Sequence, residues 1–563
     1  MKAVSVNRAS SKGIAIGKAF LVKKADLTPS AYKITHDGIG KEIGKFEQVL
    51  IQTADQVEKL AADSEIFAGH LMLVRDAVLK DAVIGKIKEQ KNAEQALSEA
   101  IAEYVSIFES MDDEYMRERS ADIKDIGNRI FRNIKGIEDK AFSDIKERVI
   151  VIADEISPSD TTAMDFNNIL GFITESGGFT SHVSIIARNK GIPAMVGVTG
   201  ILKEIKNGDM IIMDAVSGTI IIDPDDDEII KYEAFKEEFL QGQKKLEEIS
   251  RLPGITMDGK AVELCINVGN VEEIKNAKVK DIEGIGLLRS EFLYMESSHF
   301  PTEQEQFEAY KAAAELCGGD VIIRTLDIGG DKKLPYYSFE REDNPFLGWR
   351  AIRISLELQE VFKTQLRAIL RASHYGKLKI MFPMIISVEE LQQAKEVLEH
   401  CKQELRNENF LFNENIETGI MVETPAAVVN IEDFAKTADF FSIGTNDLTQ
   451  YLLAVDRGNQ KILGLYNSFH PAVLRSIHKV IQTGHKYNIK VGMCGEFASD
   501  PAAIRILLGM GLDEFSMSAK EIPAAKNIIR NSNYKEAIKL AERVLAASTI
   551  KEVMAIVQDS PNS

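Results

Sequence analysis

From Val262 onward, eight short apolar runs each give way to a segment of helical periodicity. The runs are Val262–Val268, Gly284–Glu291, Val321–Asp327, Lys379–Met384, Thr418–Thr424, Asp439–Asp447, Lys490–Glu496 and Glu514–Met517. No other feature restricts the fold as much. Parallel strands need long crossovers, and a helix after each strand supplies them. Eight such units, each strand followed by its helix, imply a closed (β/α)8 or TIM barrel over residues 255–563.

Barrels of this kind place their chemistry at the C-terminal ends of the strands, so the polar residues there are the candidates. Arg289, Ser290 and Glu291 end the second run, and Arg324 and Asp327 lie in the third. Glu423 ends the fifth, Asn446 and Asp447 the sixth, Cys494 falls in the seventh, and Arg457 follows soon after the sixth. Singly, each reads as a surface ion pair, a helix cap or, for Cys494, a small buried filler. Together they describe a rim. Arginines grip phosphate and carboxylate bidentately. Glu423 and Asp447, without a histidine or cysteine pair, suit a hard cation such as Mg2+. Cys494 could serve as a general acid or base. A small anion carrying both phosphate and carboxylate fits this set.

The chain has 563 residues, too many for one core, and its N-terminal half has a different texture. Short strands occupy 1–22 and return over 140–225, while 28–137 reads as a helical bundle. The two strand regions could form one mixed domain into which the bundle is inserted. A charged helix over 226–254, ended by Pro253 and Gly254, reads as a linker. The net charge of -18 argues against nucleic acid and anionic membranes but allows a basic protein partner. No apolar run approaches the ~18 residues of a membrane span, and the start does not resemble a signal peptide. Cys265, Cys317, Cys401 and Cys494 lack metal-ligand spacing and form no disulfide framework, so a reducing cytoplasm is expected.

A second candidate lies in Gly177-Gly178-Phe179-Thr180-Ser181-His182. An apolar strand precedes it. Val183, Ile186 and Ala187 then mark one face of a short helix that Gly191 and Pro193 stop. His182 therefore falls in a helix's first turn after a glycine turn, where free N–H groups and the dipole favour phosphate. A neutral imidazole there can act as a nucleophile. It can equally be a histidine satisfied by a cap.

The run Gly177–His182 followed by Ile185-Ile186-Ala187-Arg188 resembles the phosphohistidine signature of phosphoenolpyruvate-utilising enzymes. Asp439–Tyr451 resembles their second signature, and Arg324–Lys332 matches as well. Length and domain order are similar to the Enzyme I family of the bacterial sugar phosphotransferase system. The resemblance implies a swivelling α/β phosphohistidine domain with an inserted helical bundle, a linker helix and a TIM barrel. It also implies phosphorylation of His182 on Nε2 by phosphoenolpyruvate and transfer to the phosphocarrier protein HPr. Thr161 would hydrogen-bond the histidine. Arg289, Arg324, Arg457 and Asn446 would hold substrate, and Glu423 and Asp447 would ligate Mg2+. Cys494 would protonate enolpyruvate, with Lys332 and Arg350 in the surrounding shell. The bundle would dock HPr through His70 and the acidic stretch Asp112–Asp125, and the barrel would form a homodimer. One departure stands out: Phe179 occupies a position where relatives commonly carry arginine.

Two other readings bear on this. An ATP-dependent synthase or dikinase would need a nucleotide domain and phosphate loop, and no glycine-rich nucleotide loop is evident before the histidine motif. A silent carrier-binding sensor would be expected to have lost part of the set that here stands intact.

Overall fold

The computed structural model describes residues 2–559, except 6–8, 23–26, 62–64, 110–113, 138–141, 143–144, 163, 179–180, 278–281, 331, 333 and 460. The chain divides into two compact units, Met1–Gly242 and Gln243–Ser563.

The first unit holds an eight-stranded sheet. Its strands are β1 (Lys2–Ser5), β2 (Ala9–Ser11), β3 (Ile14–Leu21), β4 (Val149–Ala153), β5 (Ile169–Thr174), β6 (Ala194–Met195), β7 (Met210–Asp214) and β8 (Thr219–Ile222). Their order is β1-β8-β7-β3-β4-β5-β6-β2. β3, β4, β5 and β6 run parallel, and β1, β8, β7 and β2 close the edges antiparallel. The apolar run Val149–Ala153 is buried throughout because both faces of its strand are covered. Ile150 and Ile152 join one core, while Val149, Val151 and Ala153 join the other, as a period of two requires.

Between β3 and β4 runs the helical bundle: α1 (Ile39–Ala61), α2 (Glu65–Val74), α3 (Ala77–Lys88), α4 (Ala93–Glu109) and α5 (Glu114–Lys135). Phe46, Val57, Val83, Ile87, Leu97, Ile126 and Ile130 form its separate core. The strands at the start of the chain thus pair with those after the bundle, and the bundle is an insertion. A 25-residue helix, Asp226–Ser250, follows β8 and buries none of its residues. The division between the two units falls within it.

The second unit is a closed barrel of eight parallel strands. They are β9 (Glu263–Val268), β10 (Gly284–Arg289), β11 (Asp320–Arg324), β12 (Leu378–Phe382), β13 (Thr418–Val422), β14 (Phe440–Ile443), β15 (Lys490–Met493) and β16 (Glu514–Met517). β16 pairs with β9 to close it. Leu287, Ile322, Met381, Met421, Phe440 and Cys494 fill the interior. All eight strands expected from the sequence are present, but several end earlier. The expected run to Asp447 stops at Ile443, and Thr445–Leu453 is a helix. Asn446 and Asp447 therefore stand on a helical first turn.

Candidate active site

The polar rim is built where strands stop. Arg289 is the last residue of β10 and Arg324 the last of β11. Glu423 and Cys494 each lie one residue beyond a strand. Asp327 organises the cations: it lies 3.1 Å from Arg324 Nη2, 2.8 Å from Lys332 Nζ and 3.2 Å from Arg350 Nη2. Burial alone would raise the Asp327 carboxyl, but Arg324, Lys332 and Arg350 together push it well below the usual range. Arg350 extends the chain of charges to Asp447 Oδ2 at 3.5 Å, and Tyr451 OH accepts its Nη1 at 3.2 Å. Arg457 Nη2 approaches Asp447 Oδ1 at 3.8 Å.

Glu423 has the opposite character. It is 2% exposed and accepts the Met384 N–H at 2.7 Å. Burial, with Asp447 and Asp327 nearby, raises its carboxyl to about 8. A Cβ on Gly444 would lie 3.0 Å from Glu423 Oε2, so glycine lets this carboxylate approach the turn. Crowded carboxylates with too little positive charge between them suit a hard divalent cation. The buried Asp447 Oδ1, which has no hydrogen-bond partner among the described residues, fits the same group. On the anion side, Arg289 Nε, Arg324 Nε and Arg350 Nε are buried donors without acceptors among the described residues. Such donors cost stability unless a ligand meets them.

A different group, Glu263, Cys265 and Glu514, brings ligand atoms within 4.8 Å of one another. It lies at the N-terminal strand ends. Lys490 Nζ already joins Glu263 at 2.6 Å and Glu514 at 2.9 Å, so its charge is met internally.

Cys494 is 7% exposed, and burial is the main cause that pushes its thiol up to about 11. It therefore keeps its proton at neutral pH, as a proton donor must. At pH 8 iodoacetamide should alkylate Cys494 about a hundredfold more slowly than a free thiol. Peptide mass spectrometry over time measures this, and labelling as fast as glutathione would refute it.

In the other unit His182 is the first residue of a helix ending at Lys190. Its side chain lies outside the described residues, as do Phe179 and Thr180 entirely. Gly177 has φ +95°, which favours glycine. Ser184 Oγ donates to Gly178 O at 2.9 Å, which fastens the turn to the helix. Thr161 is 6% exposed, and its hydroxyl donates to Pro158 O at 2.7 Å.

The docking expectation at His70 needs correction. His70 is fully buried and stacks edge-on against Phe67. Its ring nitrogens lie 3.4 Å from Asp122 Oδ1 and 3.8 Å from Asp125 Oδ2. The imidazole and the Asp125 carboxylate are enclosed in the bundle, while Asp122 is 22% exposed, so His70 itself presents no surface to a partner. Asp112 and Asp113 lie outside the described residues. Sequence reasoning named Glu291 and Asp327 on the rim but gave neither a role; they lie just beyond the ends of β10 and β11. A carboxylate between arginines reads as a structural ion pair until its neighbours are known.

A parallel barrel with arginines and buried carboxylates on its C-terminal rim defines an enzyme for a small, multiply charged anion. Family models match accordingly: "PEP-utilising enzyme, N-terminal" over 8–119, "mobile domain" over 145–218 and "PEP-binding domain" over 243–534. Proteins named phosphoenolpyruvate-protein phosphotransferase align along nearly the whole chain. That of Haemophilus influenzae is 44% identical, covering 98% of each chain. That of Buchnera aphidicola is 46% identical, covering 98% of this chain and 99% of its own. That of Staphylococcus carnosus is 43% identical, covering 98% of each. The chain belongs to the phosphoenolpyruvate-protein phosphotransferase family of enzymes. The dikinase and sensor readings are not favoured.

Proposed function

We propose that the protein takes the phosphoryl group of phosphoenolpyruvate onto His182 and passes it to HPr, opening a cytoplasmic sugar phosphotransferase system. The rim carries this reading: Arg324, Lys332 and Arg350 meet at Asp327 beside a carboxylate pair short of positive charge.

Arg289, Arg324, Asn446 and Arg457 bind the phosphate and carboxylate, with Lys332 and Arg350 behind them. Glu423 and Asp447 hold Mg2+, which when bound offsets charge on the substrate oxygens. His182 Nε2 attacks phosphorus in line. The N–P bond forms as the bond from phosphorus to the enol oxygen breaks. Cys494 gives its proton to C3 of the enolate, pyruvate leaves, and solvent returns a proton to the thiolate. The carrier's histidine then attacks phosphorus on His182. Positioning and charge neutralisation supply most of the acceleration.

In this reading 1–22 with 140–225 is the swivelling phosphohistidine domain, 28–137 docks HPr, 226–254 is the linker, and 255–563 binds substrate and dimerises. The free face of the linker helix supports such a motion. Met72 on α2 and Val78 on α3 are exposed apolar residues that support docking on the bundle.

The test incubates native protein and His182→Ala with Mg2+ and phosphoenolpyruvate carrying labelled phosphate. An acid-labile, base-stable label on the native chain, absent from the variant, is expected. Equal labelling of both refutes His182, and no labelling of either refutes the transfer itself.

A further inference from the structure

We propose that Glu291 is a positioning residue of the phosphoryl-transfer site, fixing the Arg324 guanidinium and the Lys332 ammonium in one geometry. This rests on reading those cations as ligands of the substrate.

Glu291 opens the short helix Glu291–Met295, two residues after Arg289, and is 2% exposed. Its Oε1 accepts from Arg324 Nη2 and, at 2.9 Å, from Lys332 Nζ. Asp327 Oδ2 meets the same two atoms, at 3.1 and 2.8 Å. Each cation is thus gripped by two carboxylates. Arg324 Nη2 is spent on this frame, while its buried Nε has no acceptor among the described residues and can meet a substrate oxygen. Lysine, with a flexible stem and a compact charge, gains most from such a clamp.

The support behind Glu291 is rigid. Ser290 Oγ donates to Arg324 O at 2.7 Å, and Gln365 Nε2 donates to Ser290 Oγ at 3.0 Å. Gln365 Oε1 accepts the Leu326 N–H at 2.8 Å. The end of β11 is therefore pinned at the arginine's carbonyl and again two residues beyond it, as a preorganised site requires. Meanwhile Glu291 Oε2 is buried and has no hydrogen-bond partner among the described residues. Unmet buried polar atoms are uncommon and call for an explanation beyond the fold.

A positioning charge has an unusual signature. Glu291 repels an anionic substrate while holding its ligands in place. Glu291→Gln removes the repulsion and loosens the clamp. Affinity for phosphoenolpyruvate is then kept or increased, while transfer slows about 10- to 100-fold through misplacement. A merely structural glutamate would lose affinity and rate together.

Two measurements separate these. Calorimetric titration with phosphoenolpyruvate and Mg2+ in a His182→Ala background reads binding. Rapid-quench label uptake with His182 intact reads transfer. We expect the Glu291→Gln Kd to be no weaker than native and transfer to be at least tenfold slower. Native transfer, or weaker binding in step with slower transfer, overturns the proposal. Should Glu291→Gln not fold, Glu291→Asp keeps the charge at shorter reach, and slowed transfer with native affinity is again expected. Arg324→Met is run alongside. If it labels at the native rate, the substrate-site reading fails. If it is silent while Glu291→Gln is native, the positioning role alone fails.

Discussion

Replacing Arg324 by methionine lowers kcat/KM for phosphoenolpyruvate by about three orders of magnitude and destabilises the protein by about 3 kcal/mol. The first effect follows from losing a buried, preoriented guanidinium at the end of β11. Its Nε is one of the donors that charge on a transferring phosphoryl group would meet. The second follows from what the arginine leaves behind. Glu291 and Asp327 are 2% exposed each and share its Nη2. Removing one partner of a buried pair leaves charge uncompensated. Lys332 and Arg350 remain on Asp327, which keeps the loss at the low end. Steady-state pyruvate formation and urea unfolding test the two parts. A variant as stable as the native protein would contradict the buried network, and one of native activity would remove Arg324 from the site.

Glu423→Gln is expected to end metal-dependent phosphoryl uptake while stabilising the metal-free protein. A neutral amide cannot bind a hard cation as a carboxylate does. It also does not repel Asp447 and Asp327, and its oxygen can still accept the Met384 N–H. The pH dependence has a definite sign. In the native fold Glu423 titrates at about 8, against an ordinary value of 4.5. Below 4.5 it is protonated folded or unfolded and costs nothing. Between about 4.5 and about 8 the unfolded chain loses its proton more readily, so this group takes away stability as pH rises. The advantage of glutamine should therefore grow across that window and level off above it. Melting temperatures in EDTA from pH 5 to pH 9 measure it. A pH-independent difference would mean that Glu423 is not a raised carboxyl, and metal-dependent uptake by the variant would refute its role as a ligand.

Much of the fold was legible because it is written in local pattern. Val149–Ala153 is apolar at every position, and a strand covered on both faces needs that. The runs from Val262 to Met517 alternate with helices at intervals that suit parallel pairing. The ends were less legible. Asp439–Asp447 reads as one strand, yet Gly444 breaks it, and Asn446 and Asp447 belong to the following helix. His70 reads as a surface docking contact, but α2 turns it into the bundle, beside Asp122 and Asp125 of α5.

The sequence by itself determined that eight strands would present Arg289, Arg324, Glu423, Asp447 and Cys494 near one rim, and that His182 would open a helix. Strand direction and the two-residue period act within a few neighbouring residues, so a linear reading captures them. Only the tertiary structure decided which charge meets which. Arg350 reaches Asp447 across 97 residues and Arg324 reaches Glu291 across 33. Barrel closure sets those distances, and burial makes each pairing strong enough to move a carboxyl. The same closure leaves Asp327 saturated with cations and Glu423 short of them.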